Sequence, residues 1–587
     1  MRQLTEQEVA ALEAQGCESD DWTRVEVEND FSPGPVRRVR FLGSVRLGRL
    51  QGWVSVEDGL RRKSALRDCT LHDVVLGDGC LVENVGGYIS NYVIAAGAYI
   101  SNVGVVSAQE GTTFGQGTEI AVLNEAGGAN VVLCEGLTAT TAALMLRSEE
   151  ARKLARLHAQ EKTSNCVQGY IGTDARVVGV REMTNVWVED SCELMGCSRL
   201  TECTILGSDE APTLIGPDVI MENTVVSPGA TVSDGAKVYN SFVGESAYLG
   251  RGFTAESSLF FANCHMENGE ACAAFCGPFS ASHHKSSLLI GGQYAFYNAG
   301  SGTNFSNHAY KMGAIHFGNL LRGSKTASGA HILWPATIGA FSMVMGKVET
   351  HPDLTHLPLS YVIGQQGQTW VVPGVNLRSV GTWRDTKKWK RRDRRPLAAR
   401  TEPICFDFPD PALAQAAYDG MVFLRNLLAT GDDEILECEG FQMKRTSAVR
   451  GIRFYQLLLQ LFVSQNHDPN EAEGSSDEQW TYLADMPVLQ SDLDRLMADL
   501  QDGQFDSLPQ LQQVVADMGE SLPAAARLFA AHLASAMQDN PLADSASDQA
   551  DEAENIWLRM VRDDAEREFQ LGDIDEDFLR QFLESVK

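Results

Sequence analysis

Residues 76–106 read LGDGCL VENVGG YISNYV IAAGAY ISNVGV V, and an apolar residue begins every group of six. An isolated helix repeats about every 3.6 residues and a strand about every 2, so neither gives this period. A parallel β-helix does, because each coil has three short faces joined by tight turns and one inward side chain recurs on each face. We therefore predict that these side chains point into the core of a parallel β-helix: Leu76, Val82, Tyr88, Ile94, Ile100 and Val106.

The six-residue period returns further along the chain. It is present at Ile171, Val177 and Met183, and it is clear again in Val226-Ser-Pro-Gly-Ala-Thr231 and Val232-Ser-Asp-Gly-Ala-Lys237. Glycine is plentiful, at 53 residues, as turns with positive φ require. The changes in composition predict an N-terminal cap over 1–64, a first β-helix block over 65–140, a helical insertion over 141–163, a second block over 164–375, a basic connector over 376–404 and an α-helical domain over 405–587.

Helix signals support this division at the N-terminal end of the chain. Thr5 and Glu8 have the spacing of a capping box, which predicts a short helix in the cap. The cap itself is expected because the end of a solenoid exposes strand edges that must be covered. Residues 140–163 place leucines among charged residues without glycine or proline, which predicts one helix of about 20 residues inserted in the solenoid.

The C-terminal part of the sequence also has a helical composition. Asp410 followed by Pro411 is an N-cap with proline at the first helical position, and the helix should end near Gly431. A second helix should cover residues 448–465. Helices should also fill residues 480–587, with breaks near three positions: Gly503, Pro523 and Pro541.

The repeats resemble those of a known superfamily. Ile215-Gly-Pro-Asp-Val-Ile220, Val226-Ser-Pro-Gly-Ala-Thr231 and Val232-Ser-Asp-Gly-Ala-Lys237 are similar to the hexapeptide repeats of left-handed parallel β-helix transferases. This resemblance implies a left-handed coil, although the general rule for parallel crossovers favours the right hand. It also implies acyl or acetyl transfer to a sugar, nucleotide sugar or amino acid, often in a trimer. The whole layout also resembles an uncharacterised bacterial family with a domain of unknown function.

The bulk composition excludes several classes of function. With 48 basic and 78 acidic residues the formal charge is −30, which argues against a general nucleic-acid binder. No window approaches the roughly 20 apolar residues of a membrane span, and the N-terminus lacks an apolar signal core. The 13 cysteines are scattered, as in a protein with reduced thiols. We expect a cytoplasmic protein without a membrane or nucleic-acid partner. We also expect a homo-oligomer, because flat solenoid faces pack readily.

The stretch 282–331 is the strongest candidate site, since it holds 5 of the 12 histidines. Acyl transfer needs a base to take the proton of the attacking hydroxyl or amine, and histidine suits this role. In similar β-helix transferases a histidine on a coil turn is that base. Asn307-His308 is the best match, with His308 as base and Asn307 or backbone amides stabilising the oxyanion. His283 and His284 are the other catalytic candidates. Each of these three histidines could equally lie on a turn and form hydrogen bonds with backbone groups.

Cationic residues near this stretch could hold an anionic substrate or the phosphates of a coenzyme A-type donor. The candidates are Lys285, Lys311, Arg322 and Lys325. The basic run 384–395 could also grip a phosphate or pyrophosphate. Alternatively, it is a solvated connector, or one that pairs with the acidic helical domain.

The histidines also allow a metal-dependent hydrolase or lyase. The β-helix carbonic anhydrases hold zinc with three histidines, and zinc-bound water becomes the nucleophile. The spacing typical of that family is not clear here, and the sequence assigns no metal ligands. His265 and His283 are nevertheless about one coil of 18 residues apart and could stack. His316 and His331 lie in more apolar surroundings, which is typical of partly buried histidines.

Three functions therefore remain after the sequence analysis. The first is acyl transfer from a coenzyme A-type donor to a sugar or nucleotide-sugar acceptor, with a histidine base. The second is the metal-dependent reaction, and the third is a scaffold without catalysis. No nucleotide-binding αβ domain with a glycine-rich loop precedes the repeats, so a bifunctional sugar-phosphate nucleotidyltransferase with a β-helix tail is disfavoured.

Overall fold

The structure is a computed structural model that describes residues 1–57, 59–128, 130–308, 313–466, 476–538, 550–572 and 576–586. Over those ranges the chain forms a parallel β-solenoid of about 19 turns with ten α-helices, several of them in a C-terminal helical region. The prediction of a β-helix followed by helices is confirmed. The left hand of the coil stays a prediction from the repeats.

The N-terminal cap forms the first rungs of the solenoid. Thr5 and Glu8 make the predicted capping box at the start of helix Glu6–Ala14, with the Glu8 carboxylate accepting from the Thr5 amide at 2.9 Å. Strand Val36–Leu47 then pairs in parallel with Ala65–Leu76, with one shift of register between Leu42 and Val45. The other strands of the cap are Arg2–Gln3, Glu18–Ser19, Val25–Val27, Trp53–Glu57 and Leu60–Lys63.

The first coils bury most of the predicted inward side chains. The exception is Tyr88, which is 44% exposed, while the adjacent Ile89 is fully buried. The prediction for Tyr88 is wrong because the turn through Gly86 and Gly87 takes one extra residue before the next inward position. The strands here are Ala65–Leu76, Leu81–Glu83, Ile89–Ile94, Tyr99–Ser101 and Val105–Ser107.

A long excursion interrupts the solenoid and then rejoins it in register. Strand Val105–Ser107 is the last rung before the excursion and Gly169–Ile171 is the first one after it, where Ile171 pairs with Ile94, so residues 108–168 leave the stack. The excursion holds the hairpin Glu119–Ala121 and Asn130–Val132. The helix predicted over 140–163 is two helices, Ala139–Met145 and Glu149–Thr163, because Ser148 caps the second one. Their apolar side chains share a core with residues 483–515 of the helical region.

Tyr92 fixes the point at which the excursion rejoins the solenoid. Its buried hydroxyl donates to the Val186 carbonyl at 2.8 Å and accepts from the Val186 amide at 3.2 Å. Tyr92→Phe should therefore lower the free energy of unfolding by about 1–2 kcal/mol, since both backbone groups lose their partner. Thermal unfolding measures this, with the exposed Tyr88→Phe as the control. Equal midpoints for the two variants would contradict the bonding role.

The second block continues the parallel stack as far as a closing hairpin. Its strands are Gly169–Ile171, Arg176–Val178, Glu182–Val188, Glu193–Met195, Arg199–Ile205, Leu214–Ile215, Ile220–Val226, Thr231–Val232, Lys237–Val243, Tyr248–Gly250, Thr254–Glu256, Leu259–Phe260, His265–Glu267, Glu270–Cys272, Phe275–Cys276, Ala281–Ser282, Leu288–Ile290, Gly292–Tyr294, Asn298–Ala299, Asn304–Ser306, Gly318–Leu320, Lys325–Thr326, His331–Leu333, Thr337–Ile338 and Met343–Val348. Strands Tyr361–Gln365 and Gln368–Val372 then form the antiparallel hairpin that closes it.

Helices dominate the rest of the chain. Asp410 caps the helix from Pro411 as predicted, and its carboxylate accepts from the Leu413 amide at 2.9 Å. The predicted break at Pro523 is wrong, because its helix keeps a continuous buried face across the proline, and the break at Pro541 lies outside the described residues. The helices are Val380–Lys388, Pro411–Ala429, Arg445–Asn466, Gln490–Gln501, Leu508–Gln538, Ala550–Gly572 and Glu576–Ser585.

Two short hairpins interrupt these helices and were not expected from the sequence. They are Ile435–Cys438 with Phe441–Lys444, and Trp480–Leu483 with Met486–Leu489. The second one corrects the helical prediction for the start of 480–587. None of the helices in the described ranges has the length and apolar character needed to cross a membrane.

Candidate functional site

One outer face of the second block presents a row of side chains in strict register. His265 lies between Tyr248 on the preceding rung and Ala281 on the following one. Asn298 and Lys325 continue the row on the next two rungs. Because parallel rungs stack about 4.8 Å apart, the small Ala281 leaves a hollow between the larger side chains on either side.

The basic connector closes over this hollow. Ser379 caps helix Val380–Lys388, and Trp389 after the helix packs edge-on against Phe296, with 4.6 Å between the ring centroids. Asp393 then accepts a hydrogen bond from Asn263 at 2.8 Å. These contacts show that the basic run is bound to the solenoid face rather than being a free solvated linker.

A cavity of about 320 Å³ lies between the connector and the solenoid face. We call it the connector cavity. Its lining combines imidazoles, amides and aromatic rings from the solenoid with cations from the connector. The lining residues are Asn263, His265, Phe279, Ala281, His283, Phe296, Tyr297, Asn298, Asp385, Lys388, Trp389, Arg392 and Arg394.

Two histidines and a glutamate converge at one side of the cavity. His265 Nε2 lies 3.1 Å from a carboxylate oxygen of Glu267, and the rings of His265 and His283 meet edge to face at 4.7 Å. The sequence suggested that His265 and His283 stack directly, but His265 pairs with Ala281 because this coil has only 16 residues. Continuing that register places His283 beneath Glu267.

Burial sets the protonation of His283. Desolvation of the half-buried ring lowers its pKa, and the neighbouring His265 lowers it further, although Glu267 opposes both effects. Its pKa therefore lies below the usual value of about 6.5, and the ring is neutral near pH 7. A neutral imidazole has a free lone pair, so it can accept a proton or ligate a cation.

The cations of the cavity differ in how they are paired. Lys388 and Lys325 both contact the buried Asp385, and burial lowers the pKa of Lys388. Arg394 donates to the Ser246 carbonyl at 2.7 Å. Within the part of the chain that the structure describes, no carboxylate lies within 4 Å of the Arg392 or Arg394 guanidinium, so both can accept an anionic partner.

The structure brings only some of the predicted site residues together. His283 lines the cavity and Lys325 reaches it through Asp385, while His284 and Lys285 are exposed on the adjoining turn. Arg322 lies elsewhere, buried among acidic residues.

The other predicted residues lie beside the excursion. The Asn307 side chain is buried and donates to Glu125, and His308 is exposed next to it. Lys311 lies outside the described residues. The catalytic and binding roles assigned to these residues from the sequence stay predictions.

Sequence reasoning missed Glu267, which contacts His265 beside the cavity, and most of the residues that line the cavity. Glu267 carries no motif, and its relation to His283 depends on the length of one coil. Lys388, Arg392 and Arg394 were noted only as part of a basic run. Trp389 in this run is a large apolar residue that needs a surface to pack against, which indicates from the sequence that the connector packs onto the solenoid.

The known proteins to which this chain is similar include a relative in sequence and a solved structure. An uncharacterized protein of Treponema pallidum (strain Nichols) is 23% identical over 439 residues, which is 70% of this chain and 59% of that protein. The alignment therefore spans less than two thirds of the relative. A solved structure from Desulfovibrio desulfuricans G20, provisionally described as an acetyltransferase, has 12% identity, covers 55% of this chain and 72% of that one, and has a TM-score of 0.13. At that TM-score the superposition supports no conclusion about this chain.

A family model gives the broader relationship. The family is described as a domain of unknown function, DUF4954, and its model matches residues 1–428. The matched range includes the cap, the whole solenoid, the connector and the connector cavity. Since the match covers well over half of the sequence, the chain belongs to the DUF4954 family.

Proposed function

We propose that the protein is a transferase that moves an acyl group from a coenzyme A-type donor to a sugar or nucleotide-sugar acceptor in the connector cavity. One observation carries the proposal. A neutral, half-buried histidine and two arginines without a carboxylate partner line the same cavity of about 320 Å³. A pocket of that size suits a small substrate, and its cations suit the phosphates of a coenzyme A-type donor or of a nucleotide sugar.

His283 takes the role of general base. The hydroxyl oxygen of the acceptor attacks the thioester carbonyl while its proton moves to an imidazole nitrogen of His283. The carbon–sulfur bond then breaks, the thiolate leaves, and it takes the proton back from His283. Asn298 in the cavity wall supplies an amide that can donate to the oxyanion of the intermediate.

Arg392 and Arg394 hold the phosphate. A guanidinium gives two parallel hydrogen bonds to a phosphate, and such charge-assisted bonds contribute about 1.5–3 kcal/mol each. Lys388 contributes less, because its ammonium already contacts Asp385, a carboxylate that it shares with Lys325. The histidine and the arginines come from opposite walls, so a bound substrate lies between base and anion site.

A substrate panel tests this function. Purified full-length protein is incubated with acetyl-CoA and a set of sugar phosphates and nucleotide sugars. Release of coenzyme A is followed by chromatography, because the 13 cysteines would react with a thiol reagent. With the best pair, His283→Ala should lower kcat by about 10²–10⁴-fold.

His284→Ala is the matched control, since His284 is the exposed neighbour outside the cavity. Arg392→Ala should raise KM more than it lowers kcat, because the phosphate contact is made before and during the reaction. If His283→Ala and His284→Ala have the same kcat, the proposed base is wrong. If no acyl donor binds and no pair turns over, the transferase proposal fails.

A further inference from the structure

Three side chains with metal-ligating atoms converge at the connector cavity. One such atom from each of His265, Glu267 and His283 lies within 4.8 Å of the other two. The backbone fixes this arrangement. His265 and Glu267 are two residues apart on one strand and therefore share a face, and the next rung brings His283 beneath Glu267.

The chemistry of the set is specific. Two imidazoles and one carboxylate are the protein ligands of many catalytic zinc sites, whereas magnesium and calcium prefer oxygen ligands alone. With three protein ligands, the fourth position of a tetrahedral cation remains for water or a substrate atom. We propose that His265, Glu267 and His283 together bind one divalent cation of the zinc class. This inference goes beyond the proposed transfer reaction and does not depend on it.

The surroundings hold the ligands in place. The Glu267 side chain is only 10% exposed, and its other oxygen pairs with Arg251 at 3.0 Å. Arg251 is 63% exposed, so it orients the carboxylate from outside. Asn268 donates to the His283 carbonyl at 3.1 Å and fixes the turn. Such outer contacts typically raise the metal affinity of a site, because they fix the orientation of the ligands.

The positive charge of Lys388 on the connector acts on His283, and it would oppose a bound cation. Its ammonium contacts the buried Asp385, which offsets only part of that charge because Lys325 contacts the same carboxylate. Cation binding also has a consequence for transfer. The cation uses the imidazole lone pair that would otherwise accept the proton, so zinc should inhibit the proposed reaction and chelator should restore it.

Direct titration of the full-length protein tests the site. After chelator treatment and dialysis, zinc binding is measured by calorimetry, and cobalt binding by the visible absorption of a tetrahedral site. We expect one equivalent to bind. Loss of even an outer contact weakens metal binding about 10–100-fold, so Glu267→Gln and His283→Ala should weaken it by about 100-fold or more. His284→Ala should bind like the wild type.

The spectra exclude binding by thiols. Three cysteines are partly exposed, Cys166, Cys272 and Cys438, and a cobalt–thiolate site would add an intense near-ultraviolet band that histidine and carboxylate ligands lack. Circular dichroism confirms that each variant is folded, and Glu267→Gln keeps the side-chain volume. Wild-type affinity in both ligand variants, or a thiolate band, would overturn the inference.

The two proposals fail separately. If zinc binds and the ligand variants abolish binding, but no acyl donor is used, the metal site stands and the transferase falls. If His283→Ala abolishes acyl transfer in metal-free protein while zinc binding is unchanged, the transferase stands and the metal site falls.

Discussion

Replacing Arg322 with methionine is expected to lower the free energy of unfolding by about 3–5 kcal/mol, the usual loss when one partner of a buried ion pair is removed. Arg322 is 2% exposed. Its guanidinium lies 3.6 Å from the Asp410 carboxylate and 3.8 Å from that of Asp485. Methionine fills a similar volume, so the effect reports the lost charge and hydrogen bonds rather than a cavity.

Arg322 connects three parts of the chain. It follows strand Gly318–Leu320 of the solenoid, donates to the carbonyls of Cys405 and Asp485, and lies 4.2 Å above the Phe296 ring. Cys405 precedes the first long C-terminal helix, and Asp485 belongs to the hairpin Trp480–Leu483 and Met486–Leu489. Removing Arg322 should therefore loosen the helical region from the solenoid as well as lower stability.

Urea unfolding followed by tryptophan fluorescence measures this change, and limited proteolysis shows whether the helical region is released first. Arg40→Met is the matched control, because Arg40 is an exposed solenoid arginine paired with Glu18 at 3.0 Å. Exposed pairs of this kind contribute little. If both arginine variants unfold at the same urea concentration, the role of the buried cluster is wrong.

The free energy of unfolding that is lost in Arg322→Met should also depend on pH. Burial raises the pKa of Asp410, and Arg322 opposes this. Without the arginine the folded-state pKa rises further, so the variant gains more stability from protonation in acid. The difference between the variant and the wild type should therefore be larger at pH 8 than at pH 5. The same unfolding experiment at the two pH values measures it.

The solenoid was predictable because its signal is local. An inward residue recurs on each face, and turn residues separate the faces, so a short window such as 76–106 contains the rule. The failure at Tyr88 is also local: two glycines allow a turn of a different length, and the sequence alone does not tell which residue then points inward. The hairpin at 480–489 was missed because short apolar runs fit both a strand and a buried helix.

The candidate site was predictable only in part, because its contacts join residues that are distant in the sequence. His283 was predicted as a site residue because residues 282–331 are rich in histidine. Its proximity to Glu267, in contrast, depends on the register of one 16-residue coil. Arg322 was expected to meet an anionic substrate. Its observed partners are carboxylates about 90 and 160 residues away, Asp410 and Asp485, and no local pattern distinguishes a buried cation from a substrate-binding one.

Asp485→Asn is expected to stabilise the protein at neutral pH. The Asp485 side chain is buried, and neither carboxylate oxygen has a hydrogen-bond partner among the described residues. Desolvation raises its pKa to about 6, although Arg322 opposes the rise. A shift of about two pKa units corresponds to about 2–3 kcal/mol for keeping this group ionised in the folded protein. Asparagine removes that cost, and it suits the hairpin turn.

The sign of the pH dependence follows from the raised pKa. The unfolded carboxyl loses its proton near pH 4, whereas the folded one holds it until about pH 6. The stability that this proton contributes is complete below pH 4 and is lost as the pH rises through 6.

Other groups also titrate, so the measured quantity is the difference in thermal midpoint between Asp485→Asn and the wild type. It should grow in favour of the variant between pH 4 and about 7 and then stay level. The exposed Asp502→Asn is the control, and a difference for Asp485→Asn that does not change with pH would show that Asp485 is ionised throughout.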